Sequence, residues 1–295
     1  MSLGTPSITV FGEILWDLLP SGPRIGGAPA NLAVHAADAG LDTALVSAVG
    51  DDPLGRRIRD ALDARGFPHG LIQTEPARPT GTVDITLDAK GAATYRINGD
   101  VAWDHIRLTP ENTAAAARAD AFCFGTLAQR SPVSRATLRA LLDNLPPAAV
   151  RLLDVNLRKP PPADEVLRSS LAAATHLKLN DEELPRLAAL LGAAPGDERA
   201  ALDALLDGNP GLSVILLTRG PDGADILTRS ECFHLPAADV PGLVDTVGAG
   251  DAFTAGFVIA TLRGAAPRQA ATAGNALAAK VCATAGAWLP APHKT

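Results

Sequence analysis

Hydrophobic and polar positions change period repeatedly along the chain, and each change predicts a new element. Ser7–Gly12 is a short β-branched run that ends at glycine. Ala28–Ala39 has helical composition and stops at Gly40. Thr43–Val49 predicts a strand, and Pro53–Arg65 a helix with proline in its first turn and Gly66 behind it. The order strand, helix, strand, helix is that of a parallel sheet covered by helices. It returns after Asp120, where Ala121–Gly125, Val150–Val155, Thr175–Leu179 and Val214–Thr218 predict strands. Helical stretches fall near Val133–Leu142, Asp164–Ala173 and Asp181–Leu191. Such near-continuous apolar runs suit strands buried on both faces.

Between the two halves the pattern switches to period two. Gly81–Leu87 and Ala92–Ile97 flank Asp88-Ala89-Lys90-Gly91, which has turn composition. Thr82, Asp84, Thr86 and Asp88 alternate with Val83, Ile85 and Leu87, so one face is polar. Two antiparallel strands inside a parallel α/β chain read equally as a flap over a site or as an edge hairpin. The apolar run Glu13–Leu19 could join such a flap. No internal repeat or low-complexity linker divides the chain, and Pro160-Pro161-Pro162 reads as a loop or helix start. One domain over 1–295 is expected, with a lid from segments near 13–25 and 80–103.

Composition narrows the function. At 295 residues, 47% hydrophobic and 20% charged, the chain can bury a sizeable core. A net charge of -6 and no basic run longer than Arg56-Arg57 argue against a nucleic-acid partner. No apolar run approaches the ~20 residues needed to span a membrane, and no secretory leader pattern is present. Cys123, Cys232 and Cys282 lie far apart in apolar neighbourhoods, so buried free thiols in a cytoplasmic protein are expected. The six histidines show no metal-ligand spacing.

The richest chemistry lies in Asp245-Thr246-Val247-Gly248-Ala249-Gly250-Asp251. Gly248-Ala249-Gly250 can turn tightly and converge backbone N–H groups, and the apolar run from about Ala252 to Arg263 predicts a helix whose N-terminus favours anions. Asp251 beside that cradle suits a base that deprotonates a hydroxyl as a phosphoryl group is transferred to it. Gly26-Gly27-Ala28-Pro29-Ala30-Asn31 would let a ligand approach the backbone, with Asn31 as donor and acceptor, or is an ordinary helix start. Asp17 could accept two hydrogen bonds from a polyol, or is an exposed loop acid. Asp154-Val155-Asn156-Leu157-Arg158 ends a strand, where side chains face the ligand crevice, and Arg158 could hold phosphoryl oxygens or be an ordinary surface arginine. Asn180 and Glu183 have capping-box spacing, and alternatively could organise hydrated Mg²⁺ and phosphates. Thr218-Arg219-Gly220 ends the most apolar strand in a turn that could admit a nucleotide, and Asn275 sits on an Ala-rich helix suited to a flat base. Trp16 and Trp103 flank the hairpin and are weak candidates for sugar stacking.

Two rival nucleotide motifs fail. Gly50-Asp51-Asp52-Pro53-Leu54-Gly55-Arg56 carries arginine where a P-loop requires lysine. A dinucleotide fingerprint opening at Gly248 would place bulky Phe253 at its third small position, and no Asp or Glu follows Asp251 to hold a ribose. Arg263, Arg268, Lys280 and Lys294 make that tail basic, which suits a polyphosphate.

Together, the Gly26–Asn31 and Gly50–Gly55 segments, Asn180-Asp181-Glu182-Glu183 and Asp245–Asp251 resemble, in order, the signatures of the ribokinase-like (PfkB) carbohydrate kinases. With Gly12-Glu13-Ile14-Leu15-Trp16-Asp17, the chain is most similar to the fructokinase branch. The resemblance implies a three-layer α/β sandwich with a central, mostly parallel sheet and a small β lid. It implies a sugar and ATP as ligands, with Mg²⁺. Asp251 would be the base, and the amides of Gly248, Ala249 and Gly250 the anion hole. Asp17, Gly26, Gly27 and Asn31 would hold sugar hydroxyls, and Arg158 would face the substrates. Asn180 and Glu183 map to the phosphate and Mg²⁺ region, the latter through water. Thr218 and Gly220 map to the nucleotide loop, and Asn275 near adenine. The family commonly holds a monovalent cation such as K⁺ on carbonyls, which here fall around Asp245, Val247 and Val281–Gly286. Leu127-Ala128-Gln129-Arg130 stands where some relatives carry an acid, which weighs against ribose and makes Gln129 or Arg130 specificity candidates. Tyr95 and Arg96 could contact an open-chain keto-acid such as 2-keto-3-deoxygluconate. A catalytically silent sugar or nucleotide sensor is the reading from another class, and intact Asp251 argues against it. An exposed lid sheet would be a natural homodimer surface.

Overall fold

The computed structural model describes residues 4–20, 22–87, 93–194 and 196–292, so the expected turn at Asp88–Gly91, Ala92, His293 and Lys294 lie outside the described residues. The first half contains β1 (Ser7–Phe11), β2 (Leu15–Leu19), β3 (Gly22–Gly26), α1 (Ala28–Asp38), β4 (Asp42–Gly50) and α2 (Pro53–Arg65). Next come β5 (Ile72–Glu75), β6 (Thr82–Leu87), β7 (Ala93–Ile97) and α3 (Pro110–Ala117). The second half runs β8 (Ala121–Gly125), α4 (Pro132–Asp143), β9 (Val150–Asp154), α5 (Asp164–Ala173), β10 (His176–Asn180) and α6 (Leu184–Leu191). It ends with α7 (Glu198–Gly208), β11 (Val214–Thr218), β12 (Ala224–Thr228), β13 (Cys232–Leu235), α8 (Ala249–Leu262) and α9 (Pro267–Cys282).

The large sheet has the order β13-β12-β11-β10-β9-β8-β1-β4-β5. Its pairs from β11 through β5 are parallel, and β12 and β13 add an antiparallel edge. Alternation within each strand feeds two cores. Phe11, Leu153, Leu177, Leu179, Ile215 and Leu217 join one face with residues of α4, α5, α6 and α7. Ile8, Val10, Leu152, Val214 and Leu216 join the other, with α1, α2, α8 and α9. This three-layer sandwich is the predicted fold. At the crossing of α8 with α9, a Cβ on Gly256 would lie 2.8 Å from the Gly274 Cα, so only glycine lets the backbones approach.

The hairpin falls off the large sheet altogether. β6 and β7 pair antiparallel, β6 lies parallel to β2, and β2 is antiparallel to β3, giving a second sheet in the order β3-β2-β6-β7. This removes the reading of an edge hairpin on the main sheet. The run at Glu13–Leu19 supplies its β2. Leu15, Val83 and Ile85 form the buried core of this sheet, a far smaller one than either face of the large sheet.

Some expectations are corrected. The predicted helix Asp181–Leu191 starts only at Leu184, because Asn180 and Glu183 close a turn on each other before it. The predicted helix from about Ala252 begins at Ala249, which puts Asp251 inside its first turn. The three cysteines are free, but only Cys123 is buried: Cys232 is exposed and Cys282 partly so. Cys232 faces outward because its neighbour Phe233 takes the inward position on edge strand β13. Among the described residues no helix is long and apolar enough to cross a membrane.

Candidate active site

The site lies where the large sheet's carboxyl ends meet the start of α8. Gly248 caps that helix at φ 75°, a left-handed conformation that suits glycine, and a Cβ there would collide with Ala287. The Ala249 N–H bonds Thr246 O at 3.2 Å. Among the described residues the Gly250 and Asp251 amides have no protein acceptor, as befits a first turn open to an anion. Asp251 Oδ2 accepts a 2.7 Å hydrogen bond from Asn31 Nδ2, so residues 220 positions apart are joined. Asn31 Oδ1 in turn accepts from Trp288 Nε1 at 2.8 Å. The indole N–H thereby sets which end of the Asn31 amide faces Asp251. Gly27, at φ 107°, precedes α1, and a Cβ on it would lie 2.5 Å from Glu13 O. The close approach anticipated for this glycine is therefore with the protein's own backbone.

Beneath Asp251 lies a buried ion pair. Lys178 Nζ donates to Asp154 Oδ1 at 3.1 Å, and Thr254 Oγ1 on α8 donates to Asp154 Oδ2 at 3.1 Å. Burial pushes the Asp154 carboxyl above its ordinary range against the pull of Lys178, and the Asp251 charge adds to the rise. Burial also disfavours the Lys178 ammonium, but the Asp154, Glu183 and Asp251 carboxylates outweigh it and hold its pKa up. Neither residue of this pair had a role from the sequence. The available signal was a lysine in the middle of His176-Leu177-Lys178-Leu179, since a lysine is rarely fully buried unpaired.

Asn180 and Glu183 meet as their spacing predicts. Glu183 N donates to Asn180 Oδ1 at 2.9 Å, and Asn180 N donates to Glu183 Oε2 at 2.8 Å. Glu183 Oε1 also accepts the Leu157 N–H at 2.7 Å, which ties the loop carrying Arg158 to this turn.

The opposite wall carries two carboxyls of another character. Glu13 is buried, and desolvation lifts its pKa to about 7 against its own backbone N–H and the charges of Arg158 and Arg130. Asp17 on β2 is raised to about 6, first by burial, with Arg158 opposing and Asp251 adding. A Cβ on Gly26 would collide with Asp17 Oδ2, so glycine there makes room for this carboxylate. Glu13, Arg158 and Asp251 line one cleft with Asp154 and Asn156. Glu13 was quoted from the sequence only as part of a motif.

The remaining candidates separate. Thr218 Oγ1 bonds Leu179 O at 3.3 Å at the end of β11, and Gly220 follows at φ 54°. Asn275 Nδ2 donates to Pro236 O at 2.8 Å, so it anchors the loop ahead of α8. Asp245 accepts from Val247 N at 3.0 Å and from Gly286 N at 3.2 Å, while its own N–H bonds Cys282 O at 3.2 Å. The structure thus brings Asp245 and Val247 to the predicted 281–286 segment. Tyr95 is not brought to the cleft: it is 63% exposed on β7, where the small core leaves it uncovered. Gln129 is buried with Nε2 bonded to Gly125 O and Ser170 Oγ, which uses its donor internally. Arg130 is held by both oxygens of Asp104 at 2.8 Å and stacks on Trp103. The two tryptophans offered for stacking are buried. Trp16 bonds Leu54 O and carries Arg57 on its ring, and Trp103 is packed against Gly81. The indole that matters here is Trp288.

A three-layer α/β fold that sets a carboxylate in a glycine-led helix start is an arrangement compatible with phosphoryl transfer. Comparison with known proteins makes this specific. The profile of the pfkB family carbohydrate kinases matches residues 23–294, and the chain belongs to that family. It is 32% identical over 262 residues to a fructokinase of Klebsiella pneumoniae, covering 85% of this chain and 83% of the relative. A fructokinase of Salmonella typhimurium is 30% identical over 266 residues, with 85% and 83% covered. Among solved structures, an uncharacterized sugar kinase from Pyrococcus horikoshii superposes with a TM-score of 0.80 at 25% identity, covering 96% of this chain and 93% of that one. The fructokinase with bound ATP from Xylella fastidiosa shares the fold at a TM-score of 0.83 and 23% identity, over 95% and 93%.

Proposed function

We propose that this carbohydrate kinase transfers the γ-phosphoryl group of ATP to the 6-hydroxyl of D-fructose. The observation that carries the reading is the Asn31–Asp251 hydrogen bond, which joins a glycine-led acceptor segment to a base in the first turn of α8. Asp251 takes the acceptor proton as the acceptor oxygen bonds to the γ-phosphorus and the bond to the β-phosphate bridging oxygen breaks. The Gly250 amide and the positive end of α8 face the charge carried by the moving group. Lys178 and Asp154 hold Asp251's surroundings fixed, so little reorganisation is needed. Asp17 and Glu13 receive sugar hydroxyls, and Arg158 faces the phosphoryl or the sugar.

The donor set near Glu183 suits a hydrated Mg²⁺. Each carboxylate oxygen accepts one backbone N–H, leaving a lone pair for a water of the metal's shell. Mg²⁺, when bound with the nucleotide, supplies charge neutralisation on the phosphates. The names of the bacterial relatives favour fructose. A second reading, an open-chain sugar acid as acceptor, is favoured by Arg158, which lines the cleft and makes no salt bridge among the described residues. An ADP-release assay over fructose, ribose, 2-keto-3-deoxygluconate and nucleosides tests the proposal. Fructose is expected to give the highest kcat/KM, and no turnover with any acceptor would leave the silent-sensor reading instead.

A further inference from the structure

The segment after α9 is irregular from Thr284 onward, and it delivers the indole that orients Asn31. Among the described residues, 286–289 make no backbone–backbone hydrogen bond, so side chains hold them instead. Asp245 Oδ2 accepts the Gly286 N–H at 3.2 Å, and His35 Nε2 donates to Ala287 O at 3.0 Å. Trp288 Nε1 donates to Asn31 Oδ1 at 2.8 Å, and Arg65 Nη2 donates to Leu289 O at 2.8 Å. Arg65, the last residue of α2, is fixed in turn by Asp38: Nε donates to Oδ1 at 3.0 Å and Nη2 to Oδ2. Its guanidinium carbon lies 5.8 Å from the centre of the Trp288 ring, within cation–π range.

Asn31, His35 and Asp38 stand at i, i+4 and i+7 on α1 and so share one face. Asn31 and His35 are buried, where an unpartnered polar group is costly, and the segment after α9 supplies a partner for each. The Arg65 and Asp38 side chains are only 10% and 21% exposed, so this is more than a screened surface pair. What the pair steadies bears directly on the start of α8. Trp288 reaches Asp251 through Asn31, and Ala287 packs on Gly248, where no Cβ would fit. Rate is sensitive to small shifts at a reacting centre even when they originate far from it.

We propose that Arg65, held by Asp38, is a positioning residue for the reaction: it keeps Trp288 against Asn31 and through that amide sets Asp251. Its effect on rate rests on the function proposed above, in which Asp251 is the base, whereas the hydrogen-bond relay does not. Arg65→Gln in the full chain is expected to lower kcat with the best acceptor by about fourfold, within the loss of the one hydrogen bond it steadies. The KM values of acceptor and ATP should both stay within about twofold. Arg65→Lys, which keeps a cation and a donor for Leu289 O, should recover part of the loss. In a Trp288→Phe background Arg65→Gln should add almost nothing, because the group it acts through is already gone.

A second measurement needs no turnover. The Trp288 indole N–H resonance, assigned by its absence from Trp288→Phe, should exchange with solvent faster in Arg65→Gln than in wild type. If Arg65→Gln fails to fold, Arg65→Gln with Asp38→Asn strands no charge and carries the same measurements. An equal fall of kcat in both backgrounds, a change confined to KM, or unchanged indole exchange would overturn the proposal. Absence of turnover with every acceptor would sink the proposed function alone, since indole exchange reads the relay without it.

Discussion

The two walls of the cleft carry similar residues in opposite states. On the large-sheet wall the acidic groups are partnered: Asp251 by Asn31, Asp154 by Lys178 and Thr254, Glu183 by two backbone amides. On the small-sheet wall, among the described residues, Glu13 meets only its own backbone N–H and Asp17 has no protein donor; burial lifts both carboxyls as it lifts Asp154 and Glu183, so the walls differ in their hydrogen-bond partners. The first wall has satisfied its polar atoms internally and holds a fixed geometry. The second bears a desolvation cost that a hydroxyl-rich ligand would relieve. On the function proposed above, the difference separates residues that act from residues that receive.

The strongest way to break this contrast is Asp251→Asn. The variant keeps an acceptor for Asn31 and should fold, yet kcat with the best acceptor should fall by ~10²–10⁴. Turnover near the wild-type value would remove Asp251 as the base. Next in size is Lys178→Met, which strands Asp154 in the interior. Urea unfolding should show a loss of ~3–5 kcal/mol, partly recovered when Asp154→Asn is added. A loss under ~1 kcal/mol would mean the pair is dispensable, in contrast to the fixed wall described above.

On the receiving wall the prediction concerns pH. Glu13 has a folded pKa of about 7 against an ordinary 4.5, so the folded state holds its proton more tightly. Its contribution is full below pH ~4.5 and is lost as pH rises through ~7, by up to ~3 kcal/mol. Glu13→Gln should therefore gain stability relative to wild type as pH rises over that window, measured by thermal unfolding without ligand. A pH-independent difference would show that Glu13 is already partnered. The smallest effect belongs to Trp288→Phe, which keeps an aromatic ring, though a smaller one, and removes the N–H that orients Asn31. One net hydrogen bond of ~1 kcal/mol predicts a roughly fivefold fall in kcat with little change in acceptor KM. A change confined to KM would place Trp288 on the binding side instead.

Much of the scaffold was legible because burial on both faces leaves a coarse imprint. Ala121–Gly125 and Val214–Thr218 read as strands since few polar residues can sit between two helical layers. Asp164–Ala173 was bounded to the residue. The short edge strands β3 and β13, and β12 beside the latter, left no comparable run, and Ala-rich α3 has too few large residues to show a stripe. In the site, Gly27, Asn31, Arg158, Gly248 and Asp251 stood out because backbone turns and strand ends restrict residue type locally. The exposure of Tyr95 and the internal hydrogen bonds of Gln129 were not legible, since a polar residue near a loop looks the same in sequence whichever way it faces.

By itself the sequence determined the alternation of elements, the helix start that carries Asp251, and the family to which these motifs point. Only the tertiary structure decided which polar groups satisfy one another. Lys178 reaches Asp154 from 24 positions away, and Trp288 reaches Asn31 from 257. Periodicity reports whether a side chain is buried, because burial repeats with the element. It carries no record of the partner, because hydrogen bonds and charges are chosen by proximity in space.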